Sequence, residues 1–378
     1  MFLNALTKQN PELINAALEL HQQGVILPDT YVVDVEQFTQ NAKRIKSEAD
    51  KNSIKLYGMT KQFGRNPYLA RILINLGYEG IVAVDYKEAR TLHSAGIKIS
   101  HVGHLVQPPT AILKELIEEI KPDVITVYTL AKAQAISNMA LNAGRVQKIL
   151  LKFFDEGDHL YINQESGFPI DTLDEVLEEV SNMQGVKIEG LTHFPCFLHN
   201  NGETTLTPNF HTLIKAKNNI EEMGIQLNQI NSPSSTSCET LPTLGRFGCT
   251  HGEPGHALTG TTPANQNGTT SEKVAMLYLS EVSHDFNGQS YCYAGGYYHR
   301  GHLSNAIVND EWVEVSNDDD SNIDYHLRLH GLFPVGAPVI MAFRTQVFVT
   351  RSDVALVEGI SDGKPKLIGL YDSLGREI

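Results

Sequence analysis

Cysteine is scarce: Cys196, Cys238, Cys249 and Cys292 are the only four in 378 residues. They show no CxxC and no short Cys-His spacing, so neither a disulfide frame nor a thiolate zinc site is suggested, and buried free thiols are expected. Blocks of five or more like charges are absent and the formal net charge is −14. That balance counts against nucleic acid or an anionic membrane as partner, since both need concentrated Lys and Arg. The longest acidic run, Asp318 to Asp320, is too short to define a tail. No segment approaches the ~20 apolar residues of a membrane span. The N-terminal stretch is an amphipathic helix pattern broken by Pro11, without a basic leader or small-residue cleavage site. A soluble, cytoplasmic protein is the expectation. No GxGxxG follows any strand pattern, which removes the main signature of a dinucleotide-binding sheet.

With 41% hydrophobic and 20% charged residues the chain can bury a large core, and its length predicts two domains. From residue 30 to 260, short β-branched or apolar runs alternate with helical periodicity, the signature of βαβ units. Strands are predicted at 55–61, 80–85, 101–106, 124–129, 148–154, 188–194, 229–235 and 247–253. Segments such as YLARILINLG, PTAILKELIEEI and AKAQAISNMALNAG lie between them, and several close on a Gly suited to a helix C-cap. Eight such units fit an α/β fold of the (β/α)8 TIM-barrel type better than an open sheet. After a Thr-, Gly- and Asn-rich linker near 260–272 the pattern becomes strand-like. The predicted organisation is an N-terminal helical segment (1–30), a barrel (31–260) and a C-terminal, mainly β domain (261–378), which strand 31–35 is a candidate to join.

In such barrels functional side chains gather at the C-terminal ends of the strands. Here those positions carry Lys61, His104, Lys152, His193, the run Asn231 to Ser235, and Glu253 with His256. Singly, each has a plain structural reading: a snorkelling lysine, a hydrogen-bonded histidine, a serine-rich loop. Together they form a pattern. NSPSST follows the seventh strand and GEPGHA the eighth, where barrels build phosphate sites from loop amides, and small residues let the backbone approach an anion. An amine on the first strand, an anion cradle at the last two and an acid beside it match the needs of pyridoxal 5'-phosphate.

The stretches TYVVDVEQFTQNAKRIK, GMTKQFGRNP, GIVAVDYKEARTLHSAG, LLKFF with QESGF, GLTHFP, INSPSSTS, GEPGHALTG, YCYAGGYYHRG and FRTQVFVTRSD resemble the alanine racemase-like barrel enzymes, fold type III of the pyridoxal phosphate proteins. Within them the chain most resembles the YhfX-type racemase-like branch. The resemblance runs nearly end to end, and its most specific parts are Lys61 and GEPGH. It implies a homodimeric amino-acid racemase or epimerase acting on a small-molecule amino acid through an internal aldimine on Lys61 and a quinonoid carbanion. By the same resemblance His193 sits by the cofactor ring. Ser232, Ser234, Ser235 and Thr236 with Gly255 and His256 hold phosphate beside Asn231, and Glu253 faces the pyridine nitrogen. The opposite-face acid is a tyrosine of the β domain, Tyr297 or Tyr293, with Tyr291 and Tyr298 nearby. His299, Arg300 or Arg344 are candidates for a substrate carboxylate.

Two positions depart from alanine racemases proper, which carry arginine where this chain has Glu253 and another arginine just before the Ser166-Gly167-Phe168 position. Glu253 instead resembles the acid of the decarboxylase branch. A carboxylate keeps a ring nitrogen protonated, whereas arginine leaves it neutral. Rival readings are a decarboxylase or D-amino-acid lyase of the same fold, and a non-catalytic pyridoxal phosphate-binding protein. A metal-dependent hydrolase using His101, His104, His193, His251 and His256 is a further rival. The barrel-type lyases carry a metal-binding His-x-Cys pair, and none occurs between 273 and 378. The decarboxylases use a Cys-Asp pair, and FRTQVFVTRSD has no cysteine. The extra β domain speaks against a mere carrier, and the hydrolase lacks a His-x-His near the first strand. No metal is expected.

Overall fold

Asn10 and Pro11 divide the N-terminal amphipathic pattern into α1 (Leu3–Gln9) and α2 (Pro11–Gln22) in a computed structural model that describes residues 1–316 and 323–378. The acidic run Asp318–Asp320 lies outside the described residues. Proline suits the first turn of α2, where its missing N–H would have had no helical partner. By contacts the chain forms two units: Met1–Arg44, Lys61–Leu69 and His256–Ile378 make one, and Ile45–Thr60 with Ala70–Gly255 make the other.

In the first unit, β1 (Thr30–Asp34) is buried along its whole length. It leads into α3 (Val35–Lys51), which carries the chain to the second unit. There eight parallel strands close in sequence order into a barrel. They are β2 (Lys55–Met59), β3 (Gly80–Val82), β4 (Ile99–Val102), β5 (Val124–Val127), β6 (Gln147–Leu151), β7 (Val186–Thr192), β8 (Gln229–Asn231) and β9 (His251–Gly252). Helices α4 (Pro67–Asn75), α5 (Tyr86–Ser94), α6 (Leu130–Asn142), α7 (Leu173–Ser181), α8 (Pro208–Glu222) and α9 (Leu241–Arg246) fill the crossovers. The segment Thr110–Ile120 coils instead as successive 3-10, α and π turns. Asp85, Thr129 and Thr207 cap α5, α6 and α8 by accepting from a backbone N–H three residues on.

Every barrel strand stops short of its predicted C-terminal end. Pairing ends at Met59 rather than residue 61, at Val102 rather than 106, and at Leu151 rather than 154. After Lys152 the apolar residues Phe153 and Phe154 continue because they still pack. Their backbone, however, bonds elsewhere: Phe153–Phe154 pairs with Phe168–Pro169, outside the barrel. Lys61, His104, Lys152 and His193 therefore stand on loops just beyond the strands.

The first unit's remaining strands are β10 (Met276–Phe286), β11 (Gln289–Tyr293), β12 (Asn305–Val308), β13 (Glu311–Ser316), β14 (His326–Leu329), β15 (Pro338–Met341), β16 (Asp353–Glu358) and β17 (Lys366–Asp372). With β1 they form a nine-stranded sheet in the order β11-β14-β13-β12-β15-β10-β1-β16-β17, and β11 also pairs with β10, so that part of the sheet curls back on itself. β1 lies parallel to β16 and antiparallel to β10. Phe2, Leu6, Leu13, Ala17 and Leu20 of the N-terminal helices bury against Val32, Leu277, Ile340 and Val357 of this sheet. The Thr-, Gly- and Asn-rich stretch is tied down by Asn265. Its amide donates to Gly260 O at 2.8 Å, Glu272 O at 3.0 Å and Gln9 Oε1 at 3.0 Å, and its oxygen accepts from Thr270 N at 3.2 Å. Because these groups are buried, Asn265→Ala is expected to cost about 2–4 kcal/mol. Urea unfolding of the variant against wild type measures it.

All four cysteines are free thiols; Cys196, Cys249 and Cys292 are buried and Cys238 is half-buried. Burial pushes Cys249 up to about 11. Among the described residues no helix is long and apolar enough to cross a membrane.

Candidate active site

The barrel interior is more polar than the branched aliphatic layers usual in this architecture. Its centre is the Glu253 carboxylate, at the residue after β9, with no exposed side-chain surface. Oε1 accepts from His101 Nδ1 at 2.7 Å and from Asn231 Nδ2 at 2.8 Å. Behind it, His101 Nε2 meets Thr126 Oγ1 at 2.7 Å. Asn231 also donates to Thr192 Oγ1 at 3.2 Å, and the Glu253 N–H donates to Thr236 Oγ1 at 3.0 Å. The carboxylate is thus fixed from β4 and β8, and the Glu253 backbone from the loop after β8. Burial opposes its ionisation. The neighbouring His104 and His101 imidazoles, with the hydrogen bonds from His101 and Asn231, outweigh that and pull the carboxyl down to about 2.

Among the described residues nothing hydrogen-bonds the second oxygen, Oε2. His104 Nε2 is 3.9 Å away, beyond hydrogen-bond reach. A buried ionised oxygen without a donor is costly, and a cationic N–H brought to Oε2 would satisfy it. In this respect the residues present fit a protonated pyridine ring.

Lys61 follows β2 by two residues and opens a 3-10 turn, Lys61–Phe63. The strand end before it is held twice: Met59 N–H donates to Pro254 O at 2.9 Å, and the buried Thr60 hydroxyl is bonded by the Glu88 carboxylate. Glu88 Oε2 in turn accepts from Val84 N at 2.7 Å. Just after Lys61, Gly64 has φ +71, and a Cβ there would meet Val347, Val354 and the Ser373 carbonyl at 3.1–3.2 Å. Only glycine turns the chain so tightly at that point.

In the loop after β8, Ser232 and Thr236 are buried and Ser234 and Ser235 half-buried. Ser234 and Ser235 have φ of 97 and 52, consecutive left-handed conformations that serine rarely adopts. Such strain persists where surrounding structure enforces it, and it clusters at ligand-binding turns. The Ser234 hydroxyl donates to Phe197 O at 2.6 Å. Gly255 is buried. In the other unit, His256 places Nδ1 3.2 Å from Thr261 Oγ1 and receives Arg344 Nε at Nε2, 3.4 Å. Burial, then the nearby Arg344 and Lys61 cations, hold its imidazole well below the ordinary range.

His193 is buried, with both ring nitrogens engaged: Nδ1 accepts from Phe194 N at 2.8 Å, so Nε2 carries the proton toward Asp158 Oδ2 at 2.8 Å. Asp158 also accepts from Thr212 Oγ1 at 2.8 Å. Burial lowers the His193 pKa against the pull of Asp158. Lys152 is buried with its Nζ 2.9 Å from Ser166 Oγ, and burial pushes the amine down to about 8.

Of the two candidate tyrosines, Tyr293 ends β11 and is 38% exposed. Tyr297 lies in the following loop with its ring 5.3 Å from His299 and 6.4 Å from Phe343. Within the barrel unit, the polar group around Glu253 brings together Asn231, Thr236, His104 and His101. Sequence reading weighed His101 only as a metal ligand and passed over Thr126, Thr192 and Asp158. A histidine inside the apolar strand ISHV was the available signal. Among the described residues no three His, Cys, Asp or Glu side chains converge as a metal-ligand set.

Comparison with known proteins adds family to geometry. Residues 33–263 match the model for the alanine racemase N-terminal domain, and residues 277–367 match the YhfX-like C-terminal domain. The chain is 53% identical over 386 residues to the uncharacterized protein YhfX of Escherichia coli (strain K12), covering 100% of both. Among solved structures it is similar to D-threonine aldolase from Filomicrobium marinum (TM-score 0.72, 15% identity, 93% of this chain and 95% of that one). It is also similar to alanine racemase of Clostridium difficile 630 in complex with cycloserine (TM-score 0.67, 16% identity, 91% and 98%). D-threo-3-hydroxyaspartate dehydratase from Delftia sp. HT23 gives a TM-score of 0.68 at 15% identity, over 91% and 97%. At these identities the solved structures speak for the fold alone.

Proposed function

Since the chain belongs to the alanine racemase-like barrel family, fold type III of the pyridoxal phosphate enzymes, with a YhfX-like C-terminal domain, we propose that it is a pyridoxal phosphate-dependent amino-acid racemase or epimerase. The observation that carries this reading is the buried Glu253 carboxylate, with one oxygen bonded by His101 and Asn231 and the other without a hydrogen-bond donor, His104 Nε2 standing 3.9 Å from it. Lys61 would hold the cofactor covalently through its amine, and Glu253 Oε2 would take the ring N–H. The turn Ser232 to Thr236, with Asn231 before it and Gly255 and His256 beyond, would hold phosphate, and His193 would lie against the ring. When bound, the cofactor supplies an electron sink for negative charge at the substrate's α-carbon.

The chain's own residues then have defined tasks. Glu253, by remaining ionised, would balance a positive charge on the ring. Asp158 and the Phe194 N–H fix the His193 ring in one tautomer. Lys61 Nζ, once substrate has displaced it, moves the α-proton on one face. A tyrosine of a second copy's β domain, Tyr297 or Tyr293, serves the other. Two proton carriers on opposite faces are what separates racemization from one-sided chemistry, in which decarboxylation or elimination would compete.

The test is the visible spectrum of the purified protein with pyridoxal phosphate, before and after borohydride. A screen of L- and D-amino acids for α-hydrogen exchange in heavy water follows. Yellow absorption bleached by borohydride, with exchange from both enantiomers of one amino acid, is the expected result. Loss of carbon dioxide or of a β-substituent without inversion would replace racemase by a decarboxylase or lyase. Because the second acid comes from a second copy, the active species is expected to sediment as a homodimer. A fully active monomer in sedimentation velocity would exclude both tyrosines from that role.

A further inference from the structure

Glu253 can balance one positive charge, and His101, His104 and an arriving ring nitrogen all face it. His101 Nδ1 faces an oxygen that also accepts from Asn231, so Nδ1 must carry a hydrogen and donate. Nε2 is not fixed in this way. Its partner is the Thr126 hydroxyl at 2.7 Å, which can accept from an Nε2–H or donate to a bare Nε2. His101 can therefore be an imidazolium or a neutral imidazole without losing a hydrogen bond. The side chains of His101 and Glu253 are both shut off from solvent. A net positive charge is expensive there, so an imidazolium and a protonated ring at Oε2 would not be held together.

The other titratable groups facing His101 narrow the choice. The Tyr57 ring on β2 lies 6.0 Å from it, and burial raises that phenol, keeping it neutral. His251 on β9, 5.0 Å from Tyr57, is driven down to about 3 by burial, then by Lys55 and His101, and is also neutral. His104 lies 5.3 Å from His101 and its Nε2 pairs with Oε2 at 3.9 Å, too long for a hydrogen bond, so it is the rival proton holder that the experiment must separate from His101.

We propose that His101 is the proton holder of the empty site: it balances Glu253 as an imidazolium until a ring nitrogen reaches Oε2, and then yields the charge to it while the Thr126 hydroxyl turns to donate to Nε2. One N–H bond is lost at His101 and one is gained at the ring, so the net charge of the buried group is unchanged. This rests on the cofactor reading given above. His101 acts through Glu253 and is a positioning residue.

The experiment uses the full chain labelled with 15N-histidine, the His101 signals being assigned by their loss in His101→Gln. In the cofactor-free protein at neutral pH both His101 ring nitrogens are expected to be protonated. Saturating pyridoxal phosphate should move Nε2 to the unprotonated position. An analogue with carbon in place of the ring nitrogen should leave it protonated. A bare Nε2 in the cofactor-free protein overturns the proposal. So does an unchanged Nε2 in a protein that has gained visible absorption, the same shift with the carbon analogue, or a proton lost from His104 instead. A protein that gains no visible absorption overturns the cofactor reading itself and, with it, the handover.

Discussion

Lys61→Ala is expected to abolish the borohydride-reducible visible absorption of the protein and to lower α-hydrogen exchange by at least about 10³-fold, because one substitution would remove both the proposed covalent anchor and a proposed proton carrier. The fold should survive. Lys61, half-buried, begins a short turn whose geometry rests on the buried Gln62 and Phe63, on Gly64 and on the Thr60–Glu88 bond before it, none of which the substitution touches. Circular dichroism and urea midpoint should match wild type within about 0.5 kcal/mol, the usual limit for a substitution away from the core. Added methylamine distinguishes the two losses, since a small amine can replace the proton carrier but not the anchor. A variant that keeps its yellow, reducible band would move the anchor to another amine, of which Lys152, buried and pushed down to about 8, is the foremost.

The barrel was legible because βα alternation repeats eight times and several repeats carry their own punctuation. Gly77 and Gly144, which close two of the quoted helical segments, do adopt the left-handed conformation that the pattern implied. Strand ends were not legible. Apolar residues run on past the last barrel hydrogen bond, as at Phe153 and Phe154, and hydropathy cannot distinguish a residue that pairs from one that only packs. The candidate site stood out in the sequence where backbone conformation and side-chain chemistry coincide in a few consecutive residues, as in GEPGH and NSPSST. His101 and Asp158 were hidden for the opposite reason. Each acts across a long sequence distance, 152 residues from His101 to Glu253 and 35 from Asp158 to His193, so no local spacing announces the pair.

Glu253→Gln tests the feature that separates this chain from arginine-bearing relatives. Glutamine keeps the size and can still accept from Asn231 and His101 at one oxygen, but it presents no charge to a ring nitrogen. Cofactor should still bind through Lys61 and the phosphate turn, while α-proton exchange falls by about 10²–10⁴-fold, a loss of ~3–5 kcal/mol of transition-state stabilisation. Stability supplies a second readout with a fixed sign. The folded carboxyl titrates at about 2 against an ordinary 4.5, so its ionised form stabilises the fold at every pH above about 4.5, and that contribution fades as the pH falls toward 2. Wild type should therefore exceed the variant in urea midpoint by a constant margin at neutral pH, and the margin should close in acid. If Glu253 served only to pair with His101, the margin would be present and the exchange rate unaltered. A folded Glu253→Gln protein exchanging the α-hydrogen at the wild-type rate would thus leave the carboxylate as a structural partner of His101 and remove it from the chemistry.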